Sequence, residues 1–340
     1  MSFHIPVPRE RSGIELDEFL CLLFPLLDKG FLRHQVRDGR VLVDGVAAVP
    51  SQHLSTDQVI SIDIDEASAP DPPAAPSVAL EVLHEDDEVL VIDKPAGLAV
   101  EPERWERGAA CLSGALGRLA MQRSSIAVGS RVQPTAGLRF RPRLVHRIDK
   151  DTTGVVLVAK SLSAERRLRA AFEAGTVHKA YLALVEGEHP LAEGETEMID
   201  LAIGPDRRKS GRMQVDERGG RSARTRIGVE QRFRGFTLLR CEPLTGRTHQ
   251  IRVHLAARGF PLVVDPLYGR RRSFSLSEIK RGYRPKRGRP ETPLISRLTL
   301  HALELCFPGP DGSECSVRAE PPADLRRALK QLAKVRPPRR

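Results

Sequence analysis

The sequence predicts an α+β protein: a large domain built on a mixed, mostly antiparallel sheet with flanking helices, preceded by a small α+β domain. Segments that alternate apolar and polar residues recur along the chain and predict strands, for example KAYLALVEG at 179–187 and TLHALELCF at 299–307. Helical spacing of apolar residues is confined to a few stretches, such as SLSAERRLRAAFEAG at 161–175. A Pro- and Ala-rich stretch at 66–79 is typical of a linker and separates the two domains.

The small domain is predicted to span residues 12–65. Its first helix lies within IELDEFLCLLFPLL, where apolar residues recur at helical spacing, namely Leu16, Phe19, Leu20 and Leu23. A second helix is expected from Phe31 to Val36, ended by Asp38-Gly39. VLVDGVAAV predicts two short strands around Asp44-Gly45, and QVISIDI predicts one more strand. The expected order is therefore helix, helix, hairpin and strand.

The large domain is predicted to span residues 80–325. It opens with ALEVLHEDDEVLVIDKPAG, a strand, an acidic turn and a second strand. The helix at 161–175 should end at Gly175, and HQIRVHLAARG predicts a short helix that ends at Gly259. Residues 326–340 hold seven Lys or Arg and no acid, so they are interpreted as a basic tail.

The charge balance indicates a polyanionic partner. Lys and Arg number 54 against 44 Asp and Glu, which gives a formal net charge of +10, and residues 270–289 hold nine Lys or Arg and one acid. A charge run is also what any solvated face carries, so charge alone does not decide for nucleic acid. The five cysteines are scattered without a C-x-x-C pair, and no long apolar run occurs, so we expect no metal site, no membrane span and a cytoplasmic location.

Two polar stretches could carry chemistry. HRIDKDTTG at 146–154 places acids, cations and hydroxyls in a loop between apolar strands, where a carboxylate could serve as a nucleophile or base. A polar hairpin turn would look the same. TGRTHQIRVH at 245–254 gathers two arginines and two histidines at a helix start, a pattern that suits an anion site but also a capped surface helix. No Walker loop, G-x-G-x-x-G or G-x-S-x-G pattern is present.

Taken together, these stretches resemble the signature blocks of the RluA family of pseudouridine synthases. The likeness covers five blocks in family order between residues 80 and 310: VLVIDKPAGLAVEP, HRIDKDTTG, KAYLALVEG, GRTHQIRVHLAARGFPLVVDPLYG and LHALELCF. The small domain is similar to the αL-type, ribosomal-protein-like RNA-binding domain found in front of many members. Its likeness rests on Leu16-Asp17-Glu18-Phe19, Gly39-Arg40-Val41 and Val43-Asp44-Gly45.

The resemblance implies isomerisation of uridine to pseudouridine in structured RNA, which involves no redox change and therefore no cofactor. Asp149 would be the catalytic carboxylate, and its attack on the sugar, attack on the base or removal of a sugar proton stay open. Arg252 would pair with Asp149, and Tyr181 would stack on the uracil and help proton removal. The other residues that would bind substrate are Arg147, which enters the RNA helix when the uridine flips out, Ile251, Arg247 and His249.

The expected partner is RNA, with large-subunit ribosomal RNA first and transfer RNA second, and the protein is expected to act as a monomer. In the small domain the expected phosphate contacts are Lys29, Arg33, Arg37 and Arg40. Two other functions stay open. One is a non-catalytic RNA-binding or ribosome-assembly protein on the same fold. The other is a different glycosidic-bond enzyme that uses Asp149 and Asp151 as a carboxylate pair.

Overall fold

The computed structural model describes residues 3–24, 27–64, 68–69, 79–102, 109–123, 140–284 and 290–338. The chain forms two compact units. The first comprises Met1–Ala79, Ala99–Leu144 and Lys160–Leu162, and the second comprises Leu80–Leu98, Val145–Ala159 and Ser163–Arg340. None of the helices within the described ranges is long and apolar enough to cross a membrane.

The first unit has the predicted order of helix, helix, hairpin and strand, with one strand added in front. Its elements up to residue 64 are β1 (Phe3–Pro6), α1 (Leu16–Leu23), α2 (Lys29–Arg37), β2 (Val41–Val43), β3 (Val46–Ala47) and β4 (Val59–Ile62). The strands form a sheet in the order β1-β4-β2-β3. The predicted start of this domain at residue 12 is therefore too late, because all four residues of β1 pair with β4.

The apolar residues at helical spacing form the core of the first unit, as predicted. Leu16 and Leu20 of α1 and Leu32 of α2 are completely buried against Ile60 and Ile62 of β4. Helix α2 begins at an N-cap, where Asp28 accepts hydrogen bonds from the backbone N–H of Gly30 and Phe31. The helix therefore starts two residues before the predicted start at Phe31, and its apolar spacing sets the face that it buries.

The remaining elements follow in chain order and are β5 (Glu81–Glu85), β6 (Val89–Lys94), α3 (Leu112–Arg123), β7 (Arg143–Leu144), β8 (Thr153–Ala159), α4 (Leu162–Ala174), β9 (His178–Glu186), β10 (Thr196–Asp200), β11 (Ile203–Pro205), β12 (Met213–Val215), β13 (Arg224–Phe233), β14 (Phe236–Pro243), α5 (Gln250–Ala257), α6 (Leu276–Ile279), β15 (Leu300–Pro308), β16 (Glu314–Arg318) and α7 (Ala323–Val335). Helices α4 and α5 confirm the two helices predicted for the large domain. Helices α3, α6 and α7 were not predicted.

The second unit is built on one large sheet. Its strands run in the order β10-β13-β14-β9-β15-β8-β6-β5, and β16 pairs with β15. Neighbouring strands along this path are antiparallel except β8 and β15, which are parallel where Thr153 and Gly154 face His301 and Ala302. The prediction of a mixed, mostly antiparallel sheet is confirmed.

Alternate residues of the central strands divide this sheet into two faces. Ala183 of β9 and Leu239 of β14 pack on one side with Leu255 of α5, and we call this the active face. Leu184 of β9 packs on the other side with residues of α6 and α7, and we call this the reverse face. The period of two in the strand sequences therefore supplies an apolar surface for helices on both sides.

Two further predicted domain boundaries do not match the structure. Residues 99–144, which include α3, fall in the first unit rather than in the predicted domain 80–325. The boundary at 325/326 falls inside α7, so most of the predicted basic tail is helical. It packs in the core of the second unit because its apolar residues, Leu325, Ala328 and Leu332, form a buried stripe. The predicted linker at 66–79 lies outside the described residues except for 68, 69 and 79.

The close approach of β8 and β15 depends on the glycine at 154. Gly154 has φ +111°, and a Cβ atom there would lie 2.0 Å from the carbonyl oxygen of Ala302. We expect Gly154→Ala to lower the free energy of unfolding by about 3 kcal/mol or more, through strain at positive φ and the backbone clash.

Urea unfolding of the whole protein measures this effect, and Gly211→Ala is the matched control. Gly211 also has positive φ, +75°, but nothing lies within 4 Å of its Cβ position. The control should cost only about 1 kcal/mol, the strain of the backbone alone. Equal losses in the two variants would contradict a role for the Ala302 contact.

Candidate active site

A cavity of about 1060 Å³ opens in the second unit. It is lined by residues from the loop before β8, the end of α4 and start of β9, the end of β14, the start of α5 and one side of β15. Hydrogen-bonded register between β9 and β14 stops at Tyr181 and Cys241. The cavity lies where these two strands diverge, so the sheet itself creates the space.

The predicted catalytic loop, 146–152, forms part of the cavity wall and is fixed at both ends. At its start, the ring of His146 stacks on Phe172, with ring centroids 4.9 Å apart, and Nε2 accepts a hydrogen bond from the N–H of Leu157 at 2.8 Å. At its end, the N–H of Thr152 donates to the carbonyl of Asp149 at 3.1 Å. Burial lowers the pKa of His146 to about 3, so the ring stays neutral and keeps its role as acceptor.

Lys94 also fixes this loop by a hydrogen bond to its backbone, and this residue was not predicted from the sequence. It ends β6 and is completely buried. Its Nζ donates to the carbonyl oxygens of Pro95, Leu98 and Lys150 at 2.7–2.8 Å, which uses the three N–H donors of an ammonium. Burial lowers the pKa of Lys94 to about 7, and nearby carboxylates oppose that shift. The lysine at the end of a strand that begins with four apolar residues was the signal available in the sequence.

Asp149 lines the cavity and forms an ion pair with Arg252. Nη1 of Arg252 donates to Oδ2 of Asp149 at 2.8 Å. The Asp149 side chain is 23% exposed, whereas that of Arg252 is 6% exposed. Within the described part of the chain, Oδ1 of Asp149 accepts no hydrogen bond. The carboxylate is thus oriented through one oxygen and presents the other to the cavity.

Arg252 is itself fixed by a second carboxylate. Its Nε and Nη2 donate to the two oxygens of Asp265 at 2.8 and 2.9 Å, a bidentate pair in which Asp265 is completely buried. Oδ1 of Asp265 also accepts hydrogen bonds from the N–H of Leu267 and Tyr268. Burial lowers the pKa of Arg252, but the hydrogen bonds and charges of Asp265 and Asp149 outweigh that effect and raise it. Asp265 therefore fixes the orientation of the guanidinium that donates to Asp149.

His249 lines the cavity beside Arg252, and the ring of Tyr268 lies next to both side chains. The guanidinium carbon of Arg252 lies 5.0 Å from the Tyr268 ring centre, and the Tyr268 hydroxyl lies 2.9 Å from Nδ1 of His249. The N–H of Met213 donates to that hydroxyl, so the hydroxyl can donate to His249. Nε2 of His249 lies 4.0 Å from Oδ2 of Asp149. Burial lowers the pKa of His249, which favours the neutral ring.

The backbone at His249 explains how the TGRT loop delivers these side chains. His249 is the N-cap of α5 and has φ +55°, a left-handed conformation that reverses the chain before the helix. Buried Gln250 fixes this turn by accepting hydrogen bonds from the Thr245 hydroxyl and the Arg247 N–H. Its amide donates to the carbonyl of Arg224. The helix consequently starts at the cavity.

Tyr181 and Ile251 form the apolar side of the cavity. Ile251 is 6% exposed and belongs to the apolar cluster of the active face, against which Tyr181 packs. Burial, and then the charge of Asp149, raise the pKa of Tyr181 above its usual value near 10. The phenol therefore stays protonated at neutral pH and offers a flat ring with a hydroxyl that can donate and accept.

The structure brings the other predicted substrate-binding residues to the same cavity. Arg147 lines it and is exposed. Arg247 also lines it, and its Nε donates to the carbonyl of Ser222 at 3.0 Å. All seven residues predicted from the two signature stretches and β9 thus line one cavity, although they come from sequence positions about a hundred residues apart. Asp265 and Tyr268 were not predicted as site residues from the sequence. The acid that directly follows the apolar run 262–264 is the feature that could have indicated them.

The four predicted phosphate contacts of the first unit fall into two pairs. Lys29 forms ion pairs with Asp17 and Glu18, and Nε of Arg33 donates to Asp17 at 2.6 Å. Arg37 and Arg40 are exposed and form no ion pair with the described residues. Among the residues that the structure describes, no group of three or more His, Cys, Asp or Glu side chains is placed to hold a metal ion.

Comparison with known proteins supplies independent findings. A model of the RNA pseudouridylate synthase family matches residues 88–257. A ribosomal large subunit pseudouridine synthase D of Xanthomonas campestris is 36% identical over 329 residues, 96% of this chain and 91% of that protein. A ribosomal large subunit pseudouridine synthase C of Escherichia coli is 32% identical over 98% of this chain and 97% of that protein.

A solved structure agrees on the fold. The human RNA pseudouridylate synthase domain containing 4 protein has a TM-score of 0.52 and 24% identity, with 74% of this chain and 92% of that one covered. The matched family region contains the predicted catalytic loop, β9 and α5, three of the segments that line the cavity. The chain belongs to the RNA pseudouridylate synthase family.

Proposed function

We propose that the protein isomerises uridine to pseudouridine in large-subunit ribosomal RNA, with Asp149 as the reacting carboxylate. The observation that carries this proposal is the chain of ion pairs from Asp265 through Arg252 to Asp149 at the cavity wall. Relatives that span nearly the whole chain are named ribosomal large subunit pseudouridine synthases, which supports the choice of RNA. Transfer RNA is the second candidate substrate.

Each side chain of the cavity has a task in this reaction. Asp149 supplies the anion that the sugar or base needs when the glycosidic bond breaks, and Arg252 fixes its direction. Tyr181 gives the uracil a surface to stack on, and its protonated phenol is placed to exchange a proton with the ring. The raised pKa makes a free phenolate base costly, so proton removal at C5 requires a hydrogen-bonded partner for the phenol.

Entry of the uridine requires it to leave the RNA helix, because the bond that breaks is hidden in a stacked base. The cavity is concave and larger than one base, so it can enclose a flipped nucleotide. Exposed Arg147 stands at its edge, where a guanidinium could occupy the vacated position in the helix. Arg247, His249 and Ile251 would contact the nucleotide from the start of α5.

The two alternative functions lose support. A non-catalytic RNA-binding protein would have no need of a carboxylate fixed by a buried bidentate arginine and presented to a cavity. A two-carboxylate enzyme would require Asp151 to face Asp149 across the cavity. Asp151 is not among the residues that line it. A single-carboxylate reaction therefore suits the geometry better.

We further propose that the first unit adds affinity for RNA through exposed Arg37 and Arg40, while Lys29 and Arg33 mainly stabilise the unit itself. All proposed catalytic residues lie in the second unit of one chain, which supports action as a monomer. A ribosomal RNA substrate is consistent with a cytoplasmic enzyme. Mapping pseudouridine in cellular RNA with and without the gene would identify the site, and an unchanged map would contradict the proposal.

Asp149→Asn should abolish pseudouridine formation while RNA affinity stays within about twofold, because the amide keeps the shape but cannot act as the anion. Single-turnover assays and binding measurements on the same RNA separate the two effects. Asp151→Asn is the matched control and should keep most of the activity. Full activity of the Asp149 variant would falsify the assignment, and loss of activity in both variants would restore the carboxylate-pair hypothesis.

Asp265→Asn should slow the single-turnover rate about 10- to 100-fold with little change in RNA affinity. It removes a charge-assisted pair worth about 1.5–3 kcal/mol and loosens Arg252 beside Asp149. Asp324→Asn is the matched control, since Asp324 also forms a bidentate pair, with Arg297, but outside the cavity. Equal rate losses in the two variants would mean that Asp265 acts only through stability.

Tyr181→Phe should lower the single-turnover rate about 100-fold while RNA affinity changes little, because the ring still stacks but the hydroxyl is gone. Tyr283→Phe, outside the cavity, controls for loss of a tyrosine hydroxyl. A Tyr181 variant as fast as the parent would exclude the phenol from proton transfer.

A further inference from the structure

The fold unites two basic segments that are about fifty residues apart in sequence. Helix α6 and its neighbours contribute Phe274, Ile279 and Leu294 to the reverse-face core, where Leu325 and Leu332 of α7 also pack. Backbone carbonyls join the two segments at the surface. Nε of Arg336 donates to Ile279 at 2.9 Å, and Nη2 of Arg327 donates to Leu294 at 3.2 Å.

This arrangement creates one basic surface on the reverse face. Its exposed cations are Arg272, Lys280, Arg281, Arg284, Arg326, Lys330 and Lys334. Three of them, Arg326, Lys330 and Lys334, are spaced four residues apart and therefore form a stripe along the exposed side of α7, opposite its buried leucines. We call this set of seven residues the reverse basic surface.

Two acids beside this surface, Glu278 and Asp324, are already paired. Glu278 accepts hydrogen bonds from Arg271 and the Ser275 backbone. Asp324, the acid in the first turn of α7, is held by Arg297. Like charges at a spacing of four repel one another and destabilise a helix, so the stripe lowers the stability of the isolated protein. A bound polyanion would offset that cost.

The active cavity and the reverse basic surface lie on opposite sides of the sheet. The cavity belongs with α5 on the active face, and α7 covers the reverse face. A helix layer alone is roughly 10 Å thick, so RNA that contacts both the cavity and the stripe must pass around the edge of the sheet. A large folded RNA could present one helix to the cavity and another to the reverse side.

We propose that the reverse basic surface binds a second segment of the substrate RNA, distant from the modified uridine, and that the enzyme thereby prefers large folded RNA over an isolated stem-loop. This inference rests on the proposed function, because it assumes that the molecule in the cavity is RNA. It assigns to the phosphate backbone of that RNA a contact that carries affinity and no base recognition.

The experiment compares two RNAs and three triple variants. The probes are a full-length large-subunit ribosomal RNA transcript and a short stem-loop that carries the modified uridine. The first variant is R326Q/K330Q/K334Q, in which glutamine keeps the helix and leaves the buried stripe intact. The second is K280Q/R281Q/R284Q. The control is R207Q/R208Q/K209Q, which removes three exposed cations between β11 and β12, beside α5.

For the first two variants, affinity for the full-length transcript should fall roughly tenfold, and the slope of log affinity against log salt should decrease by about 2. Affinity for the stem-loop and its single-turnover rate should match the parent. The control substitutions should change the affinity for the full-length transcript and for the stem-loop by the same factor. Thermal unfolding of each variant should equal that of the parent, because the replaced side chains are exposed.

An unchanged affinity and salt slope on the full-length transcript would overturn the proposal, and so would equal losses on both RNAs, which would place the cations at the stem-loop site. A third outcome would also overturn the proposal: the parent binds anionic phospholipid vesicles, and the first variant loses that binding while its RNA affinity is unchanged. That result would indicate a membrane surface as the partner. Conversion of the stem-loop by the parent tests the proposed function separately, since it does not depend on the reverse face.

Discussion

The site depends on one buried electrostatic arrangement, the arginine held between two carboxylates. Burying a charge is costly unless it is paired and hydrogen-bonded, and here Asp265 supplies a bidentate partner that is itself completely buried. Asp149 then completes the set of donors from the open side. Because Arg252 has no freedom to turn, the carboxylate that it meets has a defined direction toward the cavity. The remaining features of the domain serve to bring these three residues together.

The sheet performs that task through an irregularity. The strands that carry Tyr181 and Cys241 separate after their last paired residues, and this opening becomes the cavity. The loop with Asp149 leads into β8, whose short parallel contact with β15 requires a glycine at 154. Buried Lys94 and the neutral ring of His146 hold the same loop by hydrogen bonds to backbone groups. The Asp149 loop is therefore fixed by contacts between its own His146 and β8, together with the hydrogen bond from Lys94 of β6.

The cations of the chain divide into groups with different physical roles. Lys29 and Arg33 neutralise carboxylates inside the first unit, and Arg252 neutralises carboxylates inside the second. Arg147 and Arg247 remain at the cavity, where an RNA substrate would meet them. Further exposed cations lie in the segments that flank α6 and on α7, whose buried residues pack against the opposite face of the sheet. A net charge of +10 conceals this division, since it counts paired and unpaired cations equally.

Local sequence patterns predicted the fold class, the helices α4 and α5 and the helix–helix–hairpin–strand order of the first unit, and the resemblance of short motifs to the RluA family implied the residues at the site. These depend on periodicity, turn residues and short motifs, which are properties of neighbouring positions. Tertiary structure alone decided that Asp265 supports Arg252, that Lys94 supports the Asp149 loop, and that residues 99–144 join the first unit. Most of the predicted basic tail is a packed helix, because Leu and Ala residues between its charges form a buried stripe. Contacts between distant positions leave no periodic trace in either partner, and for that reason only the folded chain reveals them.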